Sequence, residues 1–284
     1  MSARSSRGCW QLRIERAELL ASRHAFAREV LKFYGHIARF QKQLYEGLPR
    51  IWGRQAVGFE GGDLRAPLPQ GVLGPHFENF LALIESCGTG PLATHARRLR
   101  LDGDAQWAQI LETFWRARRG EASAADLDPS ASVSEPLNEF LAHAFLQPCA
   151  EAIAETMLPF APPMTVCRCP RCDSLPVLGV LRPEGEGGKR YLQCSFCSTE
   201  WEFRRIFCPQ CGEDREEQLP VYIAEQFPYI RMESCESCRR FLRTIDLTKD
   251  GRAVPLVDDL AAIPLSLWAE EQGYTRIQGN LLGT

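Results

Sequence analysis

Eight cysteines of this chain fall in four Cys-x-x-Cys pairs, and residues of this type at this spacing bind metal ions. The gaps between the pairs are 21, 10 and 23 residues, so the segment contains two copies of one unit joined by a short link. Each copy offers four thiolates, which is the ligand number of one tetrahedral ion. We therefore predict two metal sites, one formed by Cys169, Cys172, Cys194 and Cys197 and the other by Cys208, Cys211, Cys235 and Cys238.

Disulfide bonds and scattered buried thiols are the alternatives to two metal sites. Disulfides need an oxidising compartment, and the N-terminal sequence lacks the apolar core of a secretory signal. Scatter does not explain four equal spacings, although both long gaps slightly exceed the usual zinc-site range of about 15–20 residues. The isolated Cys87 and Cys149 are interpreted as small buried hydrophobic residues. Cys167, two residues before Cys169, is a candidate for a ninth thiol near the first site.

The elements that must position these cysteines are β-hairpins, because each long gap has to bring its second pair back to the first. A Gly- and Glu-rich turn at 184–188 separates the first two strands of the first copy. The predicted strands are 176–181, 190–192 and 199–204 in the first copy, and 219–224, 229–232 and 241–245 in the second. The side chains predicted to form a small core under the sites are Tyr191, Trp201, Phe203 and Phe241.

The region before the cysteines has the pattern of a helical bundle. Apolar residues recur at alternating steps of four and three over 22–46, which predicts a long helix that begins at Ser22 and ends at Gly47-Leu48-Pro49. Further helices are predicted at 76–86, from Asp102 or Asp104 to Trp115, and at 135–157, where Pro148 should kink or break the helix. Residues 1–20 are expected to be frayed, and residues 58–75 and 120–133 are interpreted as loops.

The tail beyond the cysteines predicts a helix that packs back on the body. Residues 258–268 are mostly helical in pattern, and Pro264 interrupts them. Asp258 and Asp259 are interpreted as a solvated face or a helix cap, in preference to an acidic surface for a partner.

The resulting fold class is a multi-domain α+β protein. The predicted domains are an all-helical domain at 1–164, a first rubredoxin-like or zinc-ribbon-like module at 165–206, a second such module at 207–250, and a C-terminal helix within 251–284.

Composition restricts the functions that the chain can have. The 284 residues are 45% hydrophobic and 24% charged, with a net charge of −3, which is ordinary for a soluble globular protein. Between Cys167 and Arg252, 14 Lys and Arg residues balance 14 Asp and Glu residues. This neutrality argues against a nucleic-acid-binding zinc ribbon. No apolar run approaches the length of about 18 residues that a membrane span needs, so we expect a cytoplasmic protein without stable membrane insertion.

No catalytic residues and no organic cofactor are predicted. The sequence has no G-x-G-x-x-G fingerprint after a strand. A rubredoxin-like electron carrier or redox-sensitive module stays open, because four thiolates bind iron as readily as zinc. A non-catalytic accessory protein is favoured, because a closed all-sulfur site leaves no coordination position for a substrate.

A family resemblance is specific over roughly residues 165–270. It rests on Cys-Pro-Arg-Cys-Asp-Ser-Leu-Pro-Val at 169–177, on Lys-Arg-Tyr-Leu-Gln-Cys-Ser-Phe-Cys-Ser-Thr-Glu-Trp at 189–201, on the two later cysteine pairs, and on Asp-Asp-Leu-Ala at 258–261. In these residues the chain resembles the FdhE family of formate dehydrogenase accessory proteins.

The resemblance implies a cytoplasmic protein that is needed for active respiratory formate dehydrogenase. It further implies binding to the catalytic subunit of that enzyme before export through the twin-arginine pathway, and two rubredoxin-like sites generally associated with iron, with zinc as the alternative. Redox-gated recognition is a hypothesis, and a homodimer is left open. Asp173 departs from the family, which usually has Gly after the second cysteine. A left-handed backbone is expected there, which Asp tolerates better than most residues.

Overall fold

Six helices account for most of the described residues before position 157, which confirms the predicted helical region. The structure is a computed structural model, and it describes residues 6–53, 64, 70–118, 134–158, 161–184 and 188–284. The helices are α1 (Ser6–Arg23), α2 (Arg28–Trp52), α3 (Gln70–Cys87), α4 (Gly90–Asp102), α5 (Asp104–Arg118) and α6 (Ser134–Thr156). The predicted loop 120–133, most of the predicted loop 58–75, the centre of the turn 184–188 and residues 1–5 lie outside the described residues.

Helix α1 contradicts the expectation that residues 1–20 are frayed. From Ser6 on, the chain is helical, and the apolar Ile14 is buried on its inner face. Arg13 and Arg16 are buried as well. An amphipathic helix is recognised in a sequence by a continuous apolar stripe. The two charged residues interrupt this stripe, so the apolar pattern did not indicate the helix.

Two helices continue across prolines that were expected to end or interrupt them. Helix α2 begins after a short 3₁₀ turn at Ala25–Ala27, later than the predicted Ser22, and it runs through Pro49 to Trp52. Helix α6 runs through Pro148 without a break. A proline removes one backbone hydrogen bond. Every residue from 141 to 150 of α6 is buried, and this tertiary packing outweighs the lost bond.

The middle helices were predicted in part. Helix α3 ends at Cys87, one residue beyond the predicted end, but it begins at Gln70, well before residue 76. Helix α5 begins at Asp104, one of the two predicted starts. Helix α4 was missed, because its buried residues are only His95, Ala96 and Leu99, too few to show a helical period in the sequence.

The strands of both cysteine-containing copies form one seven-stranded sheet. Their bounds are β1 (Pro176–Arg182), β2 (Lys189–Cys194), β3 (Glu200–Glu202), β4 (Val221–Ile223), β5 (Ile230–Ser234), β6 (Arg240–Asp246) and β7 (Thr275–Arg276). The order is β3-β2-β1-β6-β5-β4, and β7 pairs with β6. Each copy is an antiparallel meander, as predicted, and the parallel pair β1–β6 joins them. The division into four domains stays a prediction.

Gly179 permits the close approach of β1 to β6. It lies opposite Thr244 in the parallel pair, and a Cβ atom at position 179 would collide with Oγ1 of Thr244. This explains a glycine in the middle of an otherwise apolar strand.

Two short helices cover one face of β5 and β6. They are α7 (Pro255–Ala261) and α8 (Ile263–Glu271), and Pro264 lies in the first turn of α8. The strands contribute Ile230, Met232, Phe241 and Ile245 to the core beneath these helices, and α8 and the residue before it contribute Ala262, Leu265 and Ala269.

Asp258 and Asp259 do not lie on a solvated face, because both are fully buried. Asp258 does act at the start of α7, where its Oδ2 accepts the N–H of Val254 across 2.7 Å. Asp259 lies 2.8 Å from both Arg243 and Arg276, and it accepts a hydrogen bond from the side chain of Asn280. The contact with Nε of Arg243 is an ion pair outside hydrogen-bond geometry. The interpretation of both residues as a solvated charge pair was therefore wrong. The interpretation as a helix cap is confirmed for Asp258 but not for Asp259.

Contacts between residues divide the chain into two units. The first comprises Met1–Gln11, Phe33–Leu158 and Arg171–Asp173, and the second comprises Leu12–Lys32, Pro159–Pro170 and Ser174–Thr284. Within the ranges described above, none of the helices is long and apolar enough to cross a membrane.

Candidate metal centres

The eight paired cysteines form two quartets, in the grouping that the sequence spacing predicts. The sulfurs of Cys169, Cys172, Cys194 and Cys197 all lie within 4.8 Å of one another, and so do those of Cys208, Cys211, Cys235 and Cys238. Each quartet combines one pair that precedes a hairpin with the pair that follows it. The hairpins thus bring the second pair of each copy back to the first.

One turn is repeated at all four pairs. In each, the N–H of the first cysteine donates to the carbonyl oxygen five residues later. The bonds run from Cys169 to Ser174 (2.9 Å), from Cys194 to Thr199 (2.9 Å), from Cys208 to Glu213 (2.8 Å) and from Cys235 to Arg240 (2.9 Å). Because the same closure occurs four times, the two sulfurs of every pair are presented in the same way.

The residue after the second cysteine has a left-handed backbone in every turn. The φ angles are +59° at Asp173, +54° at Ser198, +79° at Gly212 and +57° at Arg239. The left-handed conformation expected at Asp173 is therefore confirmed. Elsewhere in the described chain, positive φ occurs only at glycines. Left-handed backbone is unfavourable for residues with a Cβ atom, so the turns at Asp173, Ser198 and Arg239 carry a local strain that the surrounding contacts must offset, whereas Gly212 adopts it without strain.

The sulfur separations fit a four-coordinate ion and exclude disulfides. The distances are 3.5 Å between Cys169 and Cys197, 3.7 Å between Cys208 and Cys238, and 3.6 Å between Cys211 and Cys235. A tetrahedron with metal–sulfur bonds of about 2.3 Å has edges of about 3.8 Å, whereas a disulfide bond is about 2.0 Å long. All twelve cysteines of the chain are free thiols. Either quartet could hold one metal ion.

The electrostatics of the second quartet also favour a cation. Burial raises the pKa of Cys208, and it raises the pKa of Cys238 to about 11. At Cys211, burial raises the pKa but is outweighed by hydrogen bonds from the N–H of Glu213 and from the neighbouring thiols, so the pKa is lowered. A cation bound among these thiols would offset the raised pKa values, because a coordinated thiol is deprotonated.

Backbone donors point at two of the sulfurs. The N–H of Phe196 donates to Sγ of Cys194 across 3.3 Å, and the N–H of Gln210 donates to Sγ of Cys208 across 3.4 Å. Each bond joins the first cysteine of a pair to the residue two positions later. Donors of this kind orient metal-binding thiolates and stabilise their charge.

The two quartets differ in their exposure to solvent. All four cysteines of the first quartet are buried, whereas Cys211 of the second is exposed and Cys238 is partly exposed. Chelators and oxidants therefore have a direct path to the second quartet. The sequence does not show this difference, because both copies have the same spacing.

Three of the four aromatic residues predicted to lie under the sites are buried: Trp201, Phe203 and Phe241. The fourth, Tyr191, is half-buried, and its hydroxyl donates to Glu184 across 3.0 Å. Cys149 is buried, as expected, and Cys87 is partly buried. Cys167 belongs to neither quartet, and its thiol donates to the carbonyl of Thr165 across 3.4 Å.

Comparison with known sequences finds this arrangement in one family. The model of the FdhE central domain matches residues 168–205, and that of the FdhE C-terminal domain matches residues 192–282. Residues 168–282 thus match the FdhE family. A curated relative from Aquifex aeolicus, a protein FdhE homolog, is 33% identical over 152 residues, which are 53% of this chain and 54% of the relative. The two matched FdhE domains together contain both cysteine quartets.

The similarity to FdhE proteins extends into the helical region. The FdhE homolog of Pseudomonas putida is 28% identical over 289 residues, which cover 96% of this chain and 86% of the relative. The match to the Aquifex aeolicus relative spans about half of that protein, and the match to a Pseudomonas aeruginosa relative spans 38% of it at 39% identity. The crystal structure of the FdhE protein from Pseudomonas aeruginosa has the same fold. Its TM-score is 0.67 at 24% identity, over 99% of this chain and 98% of that one.

Proposed function

We propose that this chain is a non-catalytic accessory protein in the maturation of respiratory formate dehydrogenase. It binds the catalytic subunit of that enzyme in the cytoplasm, before the subunit is exported. The match of residues 168–282 to the FdhE central and C-terminal domains supports this assignment. The observation that carries the non-catalytic part is the all-sulfur donor set of both quartets, because four protein ligands leave no open position for a substrate.

The eight cysteines of the two quartets are the metal ligands, and iron in a rubredoxin-type site is the preferred ion, with zinc as the alternative. Iron on four thiolates supplies a one-electron couple, which zinc does not. The chain's own contribution is the repeated turn, which presents the sulfurs and donates backbone N–H groups to them. Recognition of the catalytic subunit depends on this metal-supported surface and responds to the redox state of the ion.

The metal is identified from the anaerobically purified protein by elemental analysis and a visible spectrum. A sample that is red when oxidised and colourless when reduced selects iron. A sample that is colourless in both states and contains two zinc ions per chain selects zinc and removes the redox gating, while the accessory function itself is untouched.

Metal-dependent recognition is tested with Cys194→Ser and the matched control Cys87→Ser, which alters a thiol outside both quartets. Each variant is expressed in cells that lack the wild-type chain. Cys194→Ser should lose one ion per chain, release the tagged catalytic subunit and abolish formate dehydrogenase activity. Cys87→Ser should keep both ions, the bound catalytic subunit and the dehydrogenase activity. Full dehydrogenase activity with Cys194→Ser would mean that recognition does not need the first site.

A rubredoxin-like electron carrier is the second candidate, favoured by the exposure of Cys211. An exposed ligand sulfur lies where a redox partner can approach it. Purified dehydrogenase and formate are mixed with the iron-loaded protein to test this. Reversible and stoichiometric reduction of the second site would support a carrier, and absence of reduction would leave maturation as the function.

A further inference from the structure

A cavity of about 430 Å³ opens beside the second quartet, entirely within the second of the two units. Cys208 and Cys235 form part of its wall. The volume falls within the range of pockets that bind small organic molecules or single side chains of a partner. Nothing in the accessory function proposed above requires this cavity.

The cavity lies against one face of the sheet, opposite the face that packs on α7 and α8. Glu233 is paired with both Val221 and Leu242 in the strand register, and all three line the cavity. Phe207 and Ile277 add further apolar surface. Most of the wall is therefore hydrophobic, with polar groups at a few defined places.

The charged side chains in the wall give the cavity a positive excess. They are Arg190, Arg205, Arg231, Arg240, Glu216 and Glu233. Arg190 and Glu233 neutralise each other, because Nη2 of Arg190 donates to Glu233 across 2.6 Å. Arg231 forms no ion pair with any carboxylate in the described ranges, and its Nε is buried without a protein acceptor. Arg231 thus adds to the wall a positive charge that is paired with no carboxylate of the described residues.

One further polar atom in the same wall has no protein partner among the described residues. It is Nε of Arg190, a residue that is 3% exposed. Burying a hydrogen-bonding group without a partner costs free energy, so such groups are rare in folded proteins. Two of them around one cavity, Nε of Arg231 and Nε of Arg190, indicate a ligand that accepts hydrogen bonds.

We infer that this cavity binds a carboxylate carried on an apolar body. Arg231 supplies an opposing charge, and Nε of Arg190 donates a hydrogen bond. A carboxylate on an apolar body is favoured over a bare phosphate, because most of the wall is hydrophobic and needs an apolar group to cover it. The carboxylate belongs either to a free organic acid or to the end of an extended peptide.

The geometry beside the cavity admits a peptide as well as a free acid. Strand β4 is the edge of the sheet, and its Val221 and Ile223 are exposed. An extended chain can pair with an open strand edge and place a terminal carboxylate in a neighbouring pocket.

The test uses the metal-loaded full-length protein and isothermal titration calorimetry. The probes are 4-phenylbutanoate and its neutral amide, and an apolar hexapeptide with a free or an amidated C-terminus. Each acid should bind at least about tenfold more tightly than its amide. Tighter binding of the free-carboxylate peptide assigns the ligand to a protein segment, and tighter binding of 4-phenylbutanoate assigns it to a small molecule.

The variants locate the site. Arg231→Gln should weaken acid binding by about tenfold or more, and Arg231→Lys should restore part of the affinity. The control Arg98→Gln removes an exposed arginine on α4 and should have no effect. Equal affinity for acid and amide, an unchanged affinity in Arg231→Gln, or no binding of either acid up to about 10 mM overturns the proposal.

Discussion

The guanidinium of Arg16 binds the carboxylate of Asp258, which lies 242 positions later in the chain. Nη2 donates to Oδ1 across 2.5 Å and Nε donates to Oδ2 across 3.0 Å, and the two side chains are 6% and 0% exposed. The hydroxyl of Tyr229 donates to the same carboxylate across 2.8 Å. A buried carboxylate needs partners of this kind to offset its removal from water. The pair therefore joins α1 to α7 within the second unit.

Arg16→Met should lower the free energy of unfolding by about 3–5 kcal/mol, because it leaves the buried Asp258 without its cation. Chemical denaturation of the metal-loaded protein measures the change. The control Lys32→Met breaks an exposed ion pair with Glu29 and should cost no more than about 1 kcal/mol. The double variant Arg16→Met with Asp258→Leu should recover much of the loss. An Arg16→Met variant as stable as the control would show that the pair is dispensable.

Asp259 should make stability depend on pH in the acid range. Burial raises the pKa of its carboxyl, but Arg243 and Arg276 together outweigh burial, so the pKa lies below its usual value. A depressed pKa in the folded state stabilises the protein above the unfolded value of about 3.9, and this stabilisation is lost as pH falls through the folded-state pKa. Urea unfolding between about pH 6 and pH 3 should therefore show falling stability.

The contribution of Asp259 is isolated by comparing Asp259→Asn with Asp102→Asn, which alters an exposed carboxylate at the end of α4. Acid also releases metal by protonating the thiolates, so the metal content is measured at each pH. The Asp102→Asn variant should retain the wild-type slope of unfolding free energy against pH, and the Asp259→Asn variant should show a smaller slope. Identical slopes in the two variants would assign the acid sensitivity to the metal sites alone.

Gly212→Ala should weaken the second metal centre. The φ angle of +79° at this position is unfavourable for a residue with a Cβ atom by about 1–2 kcal/mol, and the nearest atom, Cζ of Phe207, is 3.6 Å away, so strain and not collision is the cause. Competition with a chelator measures the affinity. Gly251→Ala, at a glycine with no positive φ, is the control and should retain the wild-type affinity. Equal affinities would show that the turn relaxes without cost.

The second centre should release its ion to a chelator before the first, because Cys211 is exposed while all four cysteines of the first quartet are buried. Single-centre proteins make the comparison direct. Cys194→Ser retains only the second centre and Cys235→Ser retains only the first. Release followed with a chromophoric chelator should be faster in Cys194→Ser. Faster release from Cys235→Ser would mean that local opening, and not static exposure, controls access to the ions.

The sequence by itself determined the chemistry of the two centres. A Cys-x-x-Cys pair is a local turn, and a hairpin of about twenty residues returns the chain locally. For this reason the grouping of the eight cysteines followed from their spacing, and the three strands of each copy followed from local apolar patterns. The left-handed backbone at Asp173 was expected from the resemblance, because the family usually has Gly after the second cysteine.

Tertiary structure decided the features that depend on distant residues. Helix α1 was missed because Arg16 stands on its buried face, and its partner Asp258 is near the other end of the chain. Pro148 does not break α6, because the packing of that helix outweighs one missing hydrogen bond. The joining of both copies into one sheet depends on the parallel contact of Gly179 with Thr244, and no local pattern encodes such a contact. Short-range geometry fixes the donors of each quartet, whereas burial of charge, continuation of a helix and exposure of a ligand depend on what the rest of the chain brings next to them.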